Sequence, residues 1–311
     1  MNLDISFIIP ALNEENCIAN TIASIYEFVP NDYQYEIIVV DNGSTDQTQQ
    51  LATQSGATVY IEPTLKVGAM RNLGVKRSNG RFLIFLDADV RLTPSWFSGI
   101  SQTIQMLDQN PNIITGSKCG VSNPPSFIEK YWFAPLLAKK TAYINSGHLI
   151  TTRNLFDQLN GFSNDLITGE DFDFSTRAKE LGAKIINNPD LVVIHAGYPN
   201  TLKAFMLREI WHGVGDAQSF KSFLNSKVAI LASILMVSQL SLLLAIATGY
   251  EFITFCSLFV LFSIPIISSY IKYKSENFTY VFINALIFYL YLTSRFFSLF
   301  IRTRKNAHRK T

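Results

Sequence analysis

The sequence predicts a mostly parallel α/β domain over roughly its first two thirds, followed by C-terminal transmembrane helices. Strand-like apolar runs alternate with helical patterns up to about residue 200, which is typical of a parallel sheet with helices on both faces. From Val228 to Ile271 the chain carries a single charged residue, Glu251, and a second uncharged stretch runs from Phe278 to Ser294. A spanning helix needs about 20 apolar residues, so these stretches fit a membrane region.

Four strands alternate with helices in the first half of the predicted domain. The predicted order is strand Ile5–Ile9, a helix from Ile18 to Phe28, strand Glu36–Val40, a helix through Ser55 with a Ser44/Gln47 capping box, strand Thr58–Ile61, helix Gly68–Ser78, strand Phe82–Leu86 and a helix starting at Thr93-Pro94. Ligands of such sheets bind beyond the carboxyl ends of the strands. We therefore expect the chemistry at those ends.

The second half of the domain is less regular. The pattern predicts strand Ile113–Gly116, an irregular acceptor-side segment Val121–Ala138, strand Asn145–Thr152, a short helix closed by Gly161, helix Asp171–Leu181, strand Leu191–Ile194 and an amphipathic helix Thr201–Phe220. This last helix suits either the membrane interface or the surface of the soluble domain. The predicted regions are residues 1–200, an interfacial linker 201–225, a membrane region 226–301 and a basic tail 302–311.

The charge distribution and the cysteine content indicate which partners and which cell compartment to expect. The net charge is +2 and the soluble part has no basic stripe, which argues against a nucleic-acid partner. The basic tail, which contains no acidic residue, fits a surface of anionic lipids. The three cysteines show no metal or disulfide spacing, and the N-terminus shows no signal-peptide pattern. We expect a multi-pass protein of the plasma (inner) membrane with its first domain in the cytosol.

The strongest chemical signal is Asp87-Ala88-Asp89, which follows the buried run Phe82–Leu86. Two carboxylates two positions apart on an extended chain project from the same face. Hard cations such as Mg²⁺ prefer such oxygens together with substrate phosphates. A purely structural role would need cationic partners, because buried unpaired carboxylates are costly.

Polar groups also follow the other strands. Asn13 and Glu14 come after the first strand and can cap a helix, contact a ligand, or do both. Asp41 ends the second strand, where it can accept a hydrogen bond from a nucleobase or ribose. Arg71 can face a diphosphate or be an ordinary solvated helix residue.

Four sequence blocks resemble family 2 glycosyltransferases of the A-type nucleotide-sugar fold. They are Ile8–Glu15, Val39–Asp46, Gly68–Gly74 and Asp87–Asp89, and the resemblance covers roughly Ile5–His195. It implies a nucleotide-sugar donor and a divalent metal, Mg²⁺ or Mn²⁺. By this resemblance Pro10, Asn13, Glu14 and Asp41 line the nucleoside, Asp87 contacts the ribose or the metal shell, and Asp89 binds the metal. Further candidates for donor binding, from their positions in the same blocks, are Ala11, Gly43 and Arg71. His195 follows the last predicted strand, where it can reach the metal or a phosphate or be an ordinary core or surface histidine.

The resemblance also implies a catalytic base in Gly169-Glu170-Asp171. Asp171 matches the base position, and Glu170 would support it. Such a carboxylate deprotonates the acceptor hydroxyl in an inverting transfer. The alternative is an acid-rich helix N-terminus without catalytic function.

One segment departs from the processive members of the family. Where those members carry Gln-x-x-Arg-Trp, this chain has Arg208-Glu209-Ile210-Trp211-His212-Gly213. The difference argues against processive polymer synthesis, and the position of Trp211 favours an anchor at the membrane interface.

The membrane region leaves two topologies open. Val228–Tyr250 and Phe252–Ile271 predict a helical hairpin that returns Lys272 and Lys274 to the cytosol, as the positive-inside rule requires. A full third span from Phe278 would place the basic tail outside, against that rule. The hydropathy favours three spans, and the charge favours two spans plus an interfacial helix.

The expected function is an inverting, metal-dependent glycosyl transfer to a lipid-linked, glycolipid or other membrane-proximal acceptor, in the synthesis of a glycan, surface polysaccharide or glycolipid. A sugar nucleotidyltransferase is the first alternative, but Pro10–Glu15 lacks the Gly-rich basic loop that such an enzyme needs. A non-catalytic membrane scaffold is the second, and the intact Asp87, Asp89 and Asp171 argue against it.

Overall fold

A computed structural model of the chain describes residues 3–137, 139, 141–217, 219–274 and 277–300. The basic tail 302–311 and Ala138 lie outside these described residues. The chain divides into a first unit, Met1–Asn123 with Leu137–Tyr198, and a second unit, Pro124–Leu136 with Pro199–Thr311. Pro124–Leu136 thus belongs with the C-terminal helices, whereas the sequence-based boundary at residue 200 placed it in the first domain.

The strands form two sheets in the first unit. In chain order they are β1 (Ile5–Ala11), β2 (Tyr35–Asp41), β3 (Thr58–Ile61), β4 (Phe82–Leu86), β5 (Val90–Leu92), β6 (Ile113–Gly116), β7 (Cys119–Gly120), β8 (His148–Thr152), β9 (Lys184–Asn187) and β10 (Val193–His195). The larger sheet has the order β3-β2-β1-β4-β8-β6-β9, and the smaller one β5-β10-β7. Among the strands of the described residues, only β8 runs antiparallel to its neighbours in the larger sheet, which confirms the mostly parallel fold.

The helices follow in chain order. They are α1 (Ile18–Phe28), α2 (Thr48–Gln54), α3 (Val67–Lys76), α4 (Pro94–Gln109), α5 (Ala134–Leu137), α6 (Arg153–Gln158), α7 (Glu170–Glu180), α8 (Leu202–Gly213), α9 (Phe220–Asn225), α10 (Lys227–Thr248), α11 (Glu251–Tyr273) and α12 (Phe278–Ser298). A π-helical turn, Glu129–Phe133, precedes α5, and a 3-10 turn, Val214–Ala217, follows α8.

The strand registers bring the site residues to one edge of the large sheet. Ile8 of β1 pairs with Ile38 of β2 and with Phe85 of β4, so these parallel strands end close together. Helices cover both faces of this sheet, so its strands are apolar along their whole length. Ile8 and Phe85, for example, are fully buried. The order of strands therefore gathers the polar residues that follow each of them.

Two predicted helix starts had different outcomes. Pro94 occupies the first turn of α4 and Thr93 its N-cap position, as predicted, although the Thr93 hydroxyl donates to Val192 O. The capping box was wrong, because α2 begins at Thr48 and the Ser44 hydroxyl donates to the Asp41 carboxylate at 2.5 Å. The oxygen of the same hydroxyl accepts from Asn13 N at 2.8 Å, so Ser44 joins the loops after β1 and β2 and does not cap the helix.

In the second unit, α10, α11 and α12 are each long and apolar enough to cross a membrane by length and composition. The predicted amphipathic helix is α8, and Thr201 caps it by accepting from Ala204 N at 3.2 Å. α12 packs against α8, α10 and α11, and a larger share of it is buried than of the other two long helices.

Candidate active site

The loops that follow β1 and β2 are hydrogen-bonded to each other. Asn13 N donates to Ser44 Oγ at 2.8 Å, and Thr45 N donates to Asn13 Oδ1 at 2.9 Å. Glu14 N donates to Thr48 Oγ1 at 2.7 Å. Asn13 has a positive φ of 57°, a conformation that Asn tolerates better than most residues. These mutual bonds hold Asn13 and Glu14 at the sheet edge. Neither side chain caps α1, whose N-cap position is Cys17.

Asp41 is fully buried and shapes the loop after β2. Its carboxylate accepts from Gly43 N at 3.0 Å, Ser44 N at 2.8 Å and Gln49 Nε2 at 2.7 Å. Gly43 has φ of 81°, a left-handed conformation that glycine adopts without strain. The structure therefore places Asp41 at the predicted edge, with its oxygens engaged by its own loop and by Gln49 of α2.

Asp87, Asp89 and His195 form a cluster whose possible ligand atoms all lie within 4.8 Å of one another. The small sheet creates it, because His195 pairs with Val90 across the β10–β5 ladder. His195 Nε2 lies 3.6 Å from Asp89 Oδ1, and the imidazole stacks on Tyr198 at 4.2 Å. His195 Nδ1 has no hydrogen-bond partner among the described residues. The stack fixes the ring so that Nε2 faces the carboxylates.

Two glycines leave space for these carboxylates. A Cβ added at Gly147 would lie 2.7 Å from Asp87 Oδ2, and one at Gly197 would collide with the Asp89 carboxylate. Sequence reasoning missed both glycines. No local pattern marks them, because each faces its carboxylate only through the pairing of β8 with β4 or of β10 with β5.

Arg71 is buried and joins two parts of the site. Its Nη2 lies 2.7 Å from Asp87 Oδ1 and its Nη1 lies 2.7 Å from Glu170 Oε1. Ser146 Oγ also donates to Glu170 Oε1, at 3.0 Å. With only 2% of its side chain exposed, Arg71 is not a solvated helix residue, so that interpretation is wrong. Arg71 thus links the Asp87, Asp89 and His195 cluster to the first turn of α7.

Asp171 lies in that first turn and is 8% exposed. Burial, followed by the charge of Glu170, raises its pKa to about 6. The same two acids, after burial, raise the pKa of the Tyr143 hydroxyl. A carboxylate with a pKa near neutrality is suited to accept a proton at physiological pH.

The pKa of the Glu14 carboxyl reflects the negative charge gathered at the site. Burial and then the charges of Asp89, Asp87 and Asp46 raise its pKa to about 8. Carboxylates gathered in this way repel one another, and a divalent cation would stabilise the arrangement. Two carboxylates and an imidazole are a donor set suited to such a cation, so the residues fit a bound metal.

Family comparisons agree with this geometry. The family described as "Glycosyl transferase family 2" matches residues 6–157, and "Glycosyl transferase family group 2" matches residues 82–297. Together they cover both the sheet and the apolar helices.

Two curated archaeal relatives are similar over about two thirds of their own length. The glycosyltransferase AglE of Haloferax volcanii is 28% identical over 209 residues, which are 63% of this chain and 67% of the relative. A Methanococcus voltae enzyme named dolichyl N-acetyl-alpha-D-glucosaminyl phosphate 3-beta-D-2,3-diacetamido-2,3-dideoxy-beta-D-glucuronosyltransferase is 24% identical over 234 residues, 67% of this chain and 71% of the relative.

A solved structure shares the fold. The mannosyltransferase PcManGT from Pyrobaculum calidifontis, in complex with GDP-Man and Mn²⁺, superposes with a TM-score of 0.57 at 18% identity, covering 92% of this chain and 87% of that one. The family match over most of the chain, the A-type sheet and the residues at its edge lead to one conclusion: the chain is an enzyme of glycosyltransferase family 2 that acts on a nucleotide-activated sugar.

Proposed function

We propose that this enzyme transfers a sugar from a nucleotide-sugar donor to a lipid-linked or other membrane-proximal acceptor, with inversion and with the help of a divalent metal. One observation carries the proposal. Arg71 is ion-paired with both Asp87 and Glu170, so it joins the Asp87, Asp89 and His195 cluster to the helix turn that contains Asp171, a buried carboxylate whose pKa is raised. The reaction would serve the synthesis of a glycan, surface polysaccharide or glycolipid.

The donor would lie on the loops after β1, β2 and β4. The interlocked loop geometry supports a nucleoside site formed by Pro10, Ala11, Asn13, Glu14, Asp41 and Gly43. Asp41 acts there by holding its loop. Arg71 positions Asp87 and Glu170, since both of its terminal nitrogens are engaged by those carboxylates.

Asp87, Asp89 and His195 would hold the metal, Mg²⁺ or Mn²⁺. When bound, such an ion neutralises charge on the donor diphosphate and on the departing nucleoside diphosphate. His195 is held in orientation by Tyr198, and Asp87 by Arg71.

Asp171 would act as the base, with Glu170 beside it. The acceptor oxygen attacks the anomeric carbon, the bond from that carbon to the diphosphate breaks, and the acceptor proton passes to the Asp171 carboxylate. Attack from the face opposite the leaving group inverts the anomeric configuration. The raised pKa of Asp171 supports this role, because it makes the carboxylate a stronger base than an exposed aspartate.

Membrane location and a lipid-linked acceptor are supported by two observations. Three helices are long and apolar enough to cross a membrane. The name of the Methanococcus voltae relative describes a dolichyl-phosphate-linked substrate. We place the enzyme in the plasma membrane as a multi-pass protein, with its catalytic unit in the cytosol.

The test is a transfer assay with the full-length chain in membranes, using a panel of radiolabelled nucleotide sugars and Mn²⁺. We expect label to enter the lipid extract, and we expect chelation or Asp89→Ala to abolish this transfer, with Asp108→Ala as the surface control. Label recovered only in a water-soluble product would contradict the lipid acceptor. Full transfer in chelated buffer would contradict the metal.

A further inference from the structure

We infer that α12 is an interfacial helix which packs obliquely against the first half of α10 and the last half of α11, so that the chain after α12 emerges on the side where α10 begins. The inference rests on the proposed membrane location and settles the choice between two and three spans. Its partner is the lipid interface of the membrane.

The start of α12 lies at the end of α11. Ser269 Oγ donates to Val281 O at 3.0 Å, and the rings of Tyr273 and Tyr280 are 6.2 Å apart. This arrangement by itself fits both topologies, because any helix that follows α11 closely must begin there.

The second half of α12 distinguishes them. In a bundle of three successive spans the first and third helices run parallel, so their first halves meet each other. Here Leu292, from the second half of α12, clusters with Ala232 and Leu235 from the first half of α10. Tyr289 OH accepts from Gln239 Nε2 at 2.8 Å, near the middle of both helices. From that contact α12 continues towards the start of α10.

The last turns of α12 are held by α8 and the turn after it. Arg295 Nε lies 3.6 Å from Glu209 Oε2, and Arg295 Nη1 lies 3.4 Å from Asp216 Oδ2. A Cβ added at Gly213 would lie 2.7 Å from Ser298 Cβ. The chain passes from Asp216 through the short helix α9 into α10, so the end of α12 lies beside the segment that enters the membrane.

Trp132 joins the same elements at the end of α11. Lys272 Nζ lies 3.5 Å from the centroid of the Trp132 ring. The same ring is 4.9 Å from Phe288 and 5.2 Å from Phe205 of α8. The end of α11, the middle of α12 and the start of α8 therefore meet around one side chain, on the side of the hairpin where Lys272 lies.

Energetics and charge agree with an interfacial α12. If α12 crossed the bilayer, Arg295 and its acidic partners Glu209 and Asp216 would have to lie deep in the bilayer or beyond it. Ionised groups within the bilayer are costly. In the interface they remain near water. The exposed apolar residues of α12 fall at helical spacing on one face, which can enter the acyl boundary: Phe278, Phe282, Leu286, Tyr289 and Phe297. The basic tail then lies with Lys272 and Lys274, as the positive-inside rule requires.

Cysteine labelling in sealed, oriented vesicles tests this topology for the full-length chain. In a background that lacks the native Cys17, Cys119 and Cys256, single cysteines are placed by Ser275→Cys, Tyr250→Cys and Ala307→Cys. We expect an impermeant reagent to label the 275 and 307 positions from the same side and the 250 position from the other. Labelling of 307 together with 250 would overturn the inference, whichever way the whole protein is oriented.

A crosslink tests the contact between α8 and α12 directly. Gly213→Cys with Ser298→Cys should form a disulfide under mild oxidation, once a shift of about 1 Å between the helices brings the two Cβ atoms to the separation of about 3.5–4.5 Å that the bond needs. The matched control is Gly213→Cys with Phe297→Cys, whose side chain is 49% exposed on the other face. Absence of the 213–298 crosslink, or equal crosslinking in the control, would remove the basis of the inference. Neither experiment depends on catalysis, so failure of the proposed acceptor would not affect them.

Discussion

At the scale of single residues, Asp171 and Asp173 occupy the first turn of the same helix in different environments. Asp171 is buried beside Glu170, whereas Asp173 is ion-paired with Arg177 at 2.8 Å. We predict that Asp171→Asn lowers transfer by about 10²–10⁴-fold, the usual contribution of a positioned base. Donor affinity, measured by calorimetry with Mn²⁺, should be unchanged, and Asp173→Asn should be close to wild type. Near-normal transfer by Asp171→Asn would place the base elsewhere.

The raised pKa of Asp171 gives a second prediction at this scale. A base works only when ionised, and burial raises the pKa of this carboxyl to about 6. Transfer at low acceptor concentration should therefore rise as pH increases through about 6 and then level off. The measurement is the pH dependence of kcat/KM for the acceptor. If the residual activity of Asp171→Asn keeps the same acidic limb, that limb belongs to another group.

Arg71 gives a prediction for a positioning residue. Removing one partner from a buried ion pair costs about 3–5 kcal/mol, because the remaining charges lose their compensation. Arg71→Met should therefore lower the thermal midpoint of the purified protein and reduce kcat more than it raises KM. Arg77→Met, on the exposed end of the same helix, is the control. Arg71→Lys should recover part of the stability but less of the activity, since lysine cannot bridge two carboxylates with a planar fork. A change in KM alone would indicate direct donor contact.

At the scale of elements, the loop after β10 determines whether Asp89 can take its position. Gly197 has no side chain to occupy the space of the Asp89 carboxylate. We predict that Gly197→Ala weakens Mn²⁺ binding by at least about tenfold, the range seen when residues that support metal ligands are changed. Calorimetric Mn²⁺ titration without substrate measures this directly. Gly182→Ala, where an added Cβ meets nothing within 4 Å, should bind Mn²⁺ normally. Unchanged affinity in Gly197→Ala would show that Asp89 does not need this position.

Elements also differ in how far the sequence predicted them. The strands β1, β2 and β4 were found because apolar runs of their length suit a sheet covered on both faces. The predicted capping box before α2 was wrong because the Ser44 hydroxyl accepts from Asn13 N and donates to Asp41, and the helix begins only at Thr48. The packing of Pro124–Leu136 has no signal in the sequence pattern, since its Trp132 contacts helices more than seventy residues away in sequence, such as α8 and α12.

At the scale of the whole molecule, the apolar helices predict firm membrane attachment. The full-length chain should stay in the pellet after a high-pH carbonate wash, because two or more spanning helices are held by hydrophobic burial and not by charge.

In intact cells, a cysteine placed by Gln54→Cys on the exposed end of α2 should resist an impermeant reagent until the cells are opened. Release by carbonate would contradict the spans, and labelling from outside would contradict the cytosolic orientation.

The sequence by itself determined the fold class, the polar residues at the strand ends, the Asp87-Ala88-Asp89 motif and the apolar C-terminal helices. These features are local, because the hydrophobic periodicity of an element and the polar residues at its end can be recognised within a short stretch of sequence. Only the tertiary structure decided that Arg71 bridges Asp87 and Glu170, that His195 faces Asp89, and that α12 turns back towards the start of α10. A pattern states which residues are buried or charged, but not which distant segment they meet. That choice depends on strand pairing and helix packing between residues far apart in the chain.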